Sequence, residues 1–203
     1  MKRFLALFVL IVASASAHAE APVILVFGDS ISAGYGLPLE QGWVELLRTR
    51  LKAQGYGYQV VNASVSGETT AGGLARLPRA LDLHHPSIVI LELGGNDGLR
   101  GLPVAQMRTN LTQMSSLSAA AGAKVLLLGM RMPPNYGPEY TKQFAMVFSD
   151  LASEKKISLV PFLLTDIALS PALLQADDIH PNAQGQPILL DNVWPTLKPL
   201  LHK

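Results

Sequence analysis

VILVFGDSISAGYG, residues 23–36, decides how this chain is read. Residues 23–27 are apolar without alternation, the mark of a strand buried on both faces, as in parallel sheets. Gly28, Asp29 and Ser30 end the run, and small residues and glycines follow, so a tight turn into a helix is expected. Four further β-rich runs follow: YQVVN (58–62), SIVILELG (87–94), AKVLLLGM (123–130) and ISLVPF (157–162). Helical patterns lie between them. Trp43, Leu46, Leu47 and Leu51 share one face, with Gly55 as a stop. Residues 68–83 read as a helix with a break or kink at Pro78. Val104, Met107, Leu111, Met114 and Leu117 form a stripe, as do Tyr140, Phe144, Val147, Phe148 and Leu151. Residues 184–201 look helical despite Pro187 and Pro195. This alternation predicts an α/β fold in three layers, α/β/α, around a five-stranded parallel sheet of the doubly wound, flavodoxin-like type.

Composition sets the class. With 49% hydrophobic and 15% charged residues among 203, one domain with a sizeable core is expected. The absence of cysteine excludes disulfides, thiolate metal sites and a cysteine nucleophile. Residues 1–19 read as a cleaved export signal: Lys2 and Arg3, then the apolar run FLALFVLIVA (4–13), then small residues at Ala17 and Ala19. Cleavage is expected after Ala19, with Ala17 as the second choice, leaving a single domain over 20–203. A membrane anchor is the rival reading, but the apolar run is short for a bilayer. The segment carries two bases and no acid, so its loss leaves 14 basic against 15 acidic residues. That spread-out charge recommends no nucleic-acid partner and no stable membrane attachment. A periplasmic or secreted monomer is expected.

In doubly wound sheets, ligands bind beyond the carboxyl ends of the strands. The loops in question begin at Gly28, Asn62, Gly94, Met130 and Phe162. Of the histidines outside the leader, His202 is penultimate, and His84 and His85 enter the third strand at the wrong end of the sheet. His180, in ADDIHPN, is left as a candidate general base. Asp177, three residues earlier, can fold back onto its ring within one turn and hold one tautomer. Asp178 stays open as that partner, and a helix-capping cluster is the plain alternative for all three. Ser30, taken alone, reads as a helix cap. NASVSGETTAGG (62–73) offers Gly67 with an unobstructed N–H, and LGGND (93–97) offers the Asn96 amide; both also read as ordinary turns. Taken together, the loops supply a hydroxyl, a free N–H, an amide and an Asp/His pair. Those are the parts of acyl transfer through a tetrahedral intermediate.

FGDSISAGYG, NASVSGETT, LGGND and DDIHP, in that order and spacing, resemble the four blocks of the GDSL esterases, also called SGNH hydrolases. GWVELL, SGETTAGGLARLP and ELGGNDGLRG are similar to the bacterial periplasmic subgroup of thioesterase I, protease I, lysophospholipase L1 and arylesterase. The resemblance implies Ser30 as nucleophile, His180 as base, Asp177 as its partner, and the Ser30 N–H, Gly67 N–H and Asn96 side chain as oxyanion hole. It implies no metal and no organic cofactor, and small acyl esters or thioesters as substrates. Many relatives have Gly where this chain has Asp178. The segment Gly98, Leu99, Arg100, Gly101 and Leu102 would bind acyl chains as a hinged lid, its flanking glycines suiting a hinge; a plain connector is the alternative. Three rival functions follow from the same residues: a carbohydrate O-acetyl esterase, a hydrolase holding a divalent metal on Asp97, Asp177, Asp178 and His180, and a non-catalytic binding module.

Overall fold

The computed structural model describes residues 21–203, so the expected leader at 1–19 lies outside the described residues. Strands β1 (Val23–Gly28), β2 (Gln59–Asn62), β3 (Ile88–Glu92), β4 (Lys124–Leu128) and β5 (Ser158–Val160) form one sheet in the order β2-β1-β3-β4-β5. Every pairing is parallel; Ile24 of β1 lies opposite Val60 of β2 on one side and Ile88 of β3 on the other. From β1 the chain winds outward to β2, then crosses back to β3. The edge between β1 and β3 is therefore the switch point of a doubly wound sheet, where a crevice opens beyond the strand ends.

Residues 24–27 of β1 and 88–91 of β3 are buried on both faces, which explains why those runs do not alternate. The covering layers are α1 (Ser30–Ala33), α2 (Trp43–Ala53), α3 (Thr70–His84), α4 (Gly95–Leu99), α5 (Val104–Ala120), α6 (Pro138–Lys155) and α7 (Gly185–Leu197). α2 packs beside α7, while α3 packs on α5 and α5 on α6. Trp43, Leu47 and Leu51 face the core from α2, and Phe144, Val147, Phe148 and Leu151 from α6. Each such large apolar side chain contributes roughly 1.5–3 kcal/mol by its burial.

Two expectations need correction. Of the break or kink expected at Pro78, the break does not occur: α3 is one helix from Thr70 to His84. Thr69 caps it by accepting from the Gly72 N–H, and Gly73, Leu77 and Leu81 bury its inner face on both sides of the proline. That packing outweighs the hydrogen bond a proline cannot donate. The strands are also shorter than the apolar runs. Leu93 and Met130 lie past the ends of β3 and β4 yet stay buried.

Candidate active site

Ser30 is the first residue of α1, directly beyond β1. It is not the cap. Asp29 fills that role, its Oδ1 accepting from the Ile31 N–H at 3.1 Å. Ser30 is thus left with its hydroxyl free for another partner, beside the positive end of a short helix. That partner is His180, whose Nε2 lies 2.8 Å from Ser30 Oγ across 150 residues of chain.

His180 sits in the turn before α7, and its Nδ1 lies 2.7 Å from Asp177 Oδ2. Asp177 Oδ1 accepts from the backbone N–H groups of Ile179 and His180, both at 3.0 Å. Desolvation pulls the Asp177 carboxyl up, but the hydrogen bonds from His180 and Ile179 and the charge of His180 outweigh it and hold the pKa down at about 2. Asp178 takes the left-handed conformation (φ 56°) and is exposed, and its N–H donates to the Gln175 carbonyl, so the side chain beside the ring is that of Asp177. The turn is anchored from behind. Gln175 Nε2 donates to the carbonyls of Tyr35 and Pro181, and Gln186 joins the Pro181 carbonyl to the Trp43 N–H. The Tyr35 ring packs against the His180 ring with centroids 4.7 Å apart and the planes tilted by 42°.

The loop carrying Gly67 is laid along the end of β1. The Gly28 N–H donates to Ser64 Oγ, the Val65 N–H donates to the Gly28 carbonyl, and Asn62 Nδ2 donates to the Ser32 carbonyl of α1. No acceptor among the described residues takes the Gly67 N–H. Asn96 lies in the first turn of α4, directly beyond β3, and its Nδ2 donates to Asp29 Oδ2 at 3.0 Å. One amide hydrogen is thereby engaged and the other is left over.

Residues 98–102 are not a free loop. Gly98 and Leu99 close α4, and the Leu102 N–H bonds the Asp97 carbonyl. Tyr136 donates to the Leu99 carbonyl, Tyr140 to that of Leu102, and Arg100 to that of Gly67 at 2.9 Å. A Cβ on Gly98 would run into the side chains of Met132 and Phe144, so this glycine is close-packed; Gly101, with φ 64°, is turned left-handed. Leu99 and Leu102 are partly exposed instead of joining the core.

The four residues of the rival metal site are not brought together. Asp97 is buried and bonded to the N–H and hydroxyl of Thr70, at 2.8 and 2.5 Å, and Asp178 faces solvent. No group of three or more acidic, His or Cys side chains that could hold a metal occurs among the described residues. Two surface depressions, about 650 and 250 Å³, lie elsewhere, at α2 with β2 and beside His84, and neither is lined by a residue of this cluster.

Sequence reasoning missed Asp29, Glu92, Gln175 and Gln186. One signal was available: Glu92 is the lone charge in the run 87–94.

A parallel sheet with a Ser–His–Asp hydrogen-bonded line at its switch point is the architecture of an acyl hydrolase. Residues 26–188 match the model of the GDSL-like lipase/acylhydrolase family. The chain is 55% identical over 184 residues to esterase TesA of Pseudomonas aeruginosa, covering 91% of this chain and 92% of that one. It is 41% identical over 184 residues to thioesterase 1/protease 1/lysophospholipase L1 of Escherichia coli K12, covering 91% and 87%. Among solved structures, the psychrotrophic esterase EstA of Pseudoalteromonas sp., inhibited by monoethylphosphonate, superposes with a TM-score of 0.84 at 43% identity, covering 87% of this chain and 97% of that one. The chain belongs to the GDSL-like lipase/acylhydrolase family and is an ester hydrolase.

Proposed function

We propose that the protein is a serine hydrolase that cleaves small carboxylic esters and thioesters through an acyl-enzyme on Ser30. The observation that carries this is the hydrogen-bonded line from Ser30 Oγ through His180 to Asp177. Asp177 accepts from Nδ1–H, so Nε2 is the basic nitrogen and faces the hydroxyl. His180 takes the Ser30 proton as Oγ attacks the acyl carbonyl, and Asp177 stabilises the imidazolium that forms. The N–H groups of Ser30 and Gly67 and the second amide hydrogen of Asn96 receive the oxyanion. His180 then returns the proton to the leaving alcohol or thiol, and water repeats the sequence on the acyl-enzyme.

Tyr35, 52% exposed, and Ile179, 42% exposed, present apolar surface next to His180, which suits acyl or aryl groups better than sugars. In this reading the exposed Leu99 and Leu102, on the segment that Arg100 ties to Gly67, also bind the acyl group. Residues 1–19 are an export signal in this reading, and the mature domain, 20–203, works in the periplasm or outside the cell as a monomer. No helix among the described residues is long and apolar enough to cross a membrane. p-Nitrophenyl esters and acyl-CoAs of graded chain length, assayed beside acetylated sugars, test the reading. Turnover of the first two sets that disappears in Ser30→Ala supports it; turnover confined to sugar acetates selects the carbohydrate esterase instead.

A further inference from the structure

Glu92 closes β3, a strand otherwise apolar, and its side chain is 0% exposed. A carboxyl in such a place is costly unless it is partnered or kept neutral. Oε2 accepts three hydrogen bonds, from the N–H groups of Asp29 and Ser32, each at 3.2 Å, and from the Ser32 hydroxyl at 2.7 Å. Those donors stand on either side of Ser30 in the chain. The backbone is drawn close: a Cβ on Gly28 would come within 2.6 Å of Oε2, so a larger residue there would displace the Glu92 carboxyl. Oε1 is buried and has no donor.

Burial and the neighbouring Asp29 charge push the Glu92 carboxyl well above the usual carboxyl range. Asp29 is also raised by burial, but its bond from Ile31, the charge of His180 and its bond from Asn96 limit the rise to about 6. The ionisable groups that bear on the pair are each other and, from the turn before α7, His180. From α4, Asp97 is occupied by Thr70.

We propose that Glu92 is a positioning residue for the esterase reaction: through Oε2 it holds the backbone on both sides of Ser30, and with it Asp29, whose carboxylate accepts from Asn96. This rests on the reading of Ser30 and Asn96 given above. Loss of the Glu92 proton sets two negative carboxyls against each other in a buried space. The start of α1 and the Asn96 amide are then no longer held together, and turnover falls on the alkaline side.

The test is the pH dependence of kcat and KM for p-nitrophenyl butyrate with the wild-type chain, Glu92→Gln, Glu92→Ala and, as control, Ser30→Ala. Folding of each is followed by near-ultraviolet circular dichroism. Glutamine keeps the accepting oxygen and cannot ionise, so Glu92→Gln is expected to hold neutral-pH kcat within about threefold and to lack the wild-type alkaline decline. Folded Glu92→Ala is expected to lose kcat by roughly tenfold or more, with KM within about twofold. If Glu92→Ala does not fold, the Glu92→Gln profile decides alone. An unchanged alkaline decline in Glu92→Gln, a glutamine variant as impaired as alanine, or wild-type kcat in folded Glu92→Ala each overturns the proposal. Activity surviving in Ser30→Ala instead sinks the site reading itself, whereas an inert Ser30→Ala beside unaffected Glu92 variants removes only the role of Glu92.

Discussion

Asp29 Oδ2 accepts a hydrogen bond from Asn96 Nδ2 at 3.0 Å, joining residues 67 apart in sequence and two different strand ends. The same carboxylate caps α1 through the Ile31 N–H. Asp29 therefore couples the start of the helix bearing Ser30 to the amide proposed to receive the oxyanion. Asp29→Ala removes both bonds. The lost cap alone costs about 1 kcal/mol of stability. The freed Asn96 amide is expected to lower kcat by tenfold or more at nearly constant KM, as misplacement of a catalytic group does. Steady-state kinetics beside urea melts separate the two effects.

Asn96→Ala removes the donor itself. A single oxyanion donor is worth about 3 kcal/mol of barrier, so kcat should fall by roughly 10²–10³ while binding is kept. An unchanged kcat would mean that Asn96 serves only to satisfy Asp29.

The adjacent acids Asp177 and Asp178 give a paired comparison. Asp177 meets His180 Nδ1 at 2.7 Å, whereas Asp178 is exposed and turned left-handed. Asp177→Asn presents the wrong tautomer-holding group and should cost about 10⁴ in kcat. Asp178→Asn should stay within a few-fold of wild type. Equal losses in both variants would contradict the geometry.

Much of the architecture was legible because it rests on local patterns. The unalternating runs at 23–27 and 123–130 identify strands buried on both faces, and the parallel order then brings the loops after β1, β2 and β3 to one edge. His180 followed by elimination along that edge. The proline break in α3 was misjudged because burial of Leu77 and Leu81 depends on the sheet and α5, which no local window contains. The supporting residues were hidden for the same reason. Glu92 bonds the N–H of Asp29 63 residues away, and Gln186 bonds that of Trp43 143 residues away, and neither pairing leaves a periodic trace. The segment 98–102 reads as a lid by its glycines; its partners Met132, Tyr136 and Tyr140 come from later in the chain and leave no local trace either.

The buried acids give stability a definite pH sign. Asp29 ordinarily titrates at 3.8 and is raised by burial to about 6 in the fold. Between these values the unfolded chain has released its proton and the folded chain has not, so stability falls as pH rises through that window. Asp177, held down at about 2, acts in the opposite sense: its contribution is present above about pH 4 and is lost as pH drops toward 2, and it is small because the side chain is 38% exposed. Asp29→Asn cannot titrate. Its urea-unfolding free energy should gain on wild type by on the order of 2 kcal/mol between about pH 4 and about pH 6. A constant difference across that range would contradict the raised value.

The central claim is that Ser30 is the nucleophile, made so by His180 2.8 Å from its hydroxyl. Incubation of the folded protein with an ethyl organophosphonate, followed by peptide mass mapping, tests it most directly. The account predicts one adduct per chain, on the peptide containing Ser30, forming in step with loss of esterase activity and absent from His180→Ala. Full esterase activity with no adduct on Ser30, or inactivation through an adduct on another residue, would contradict it.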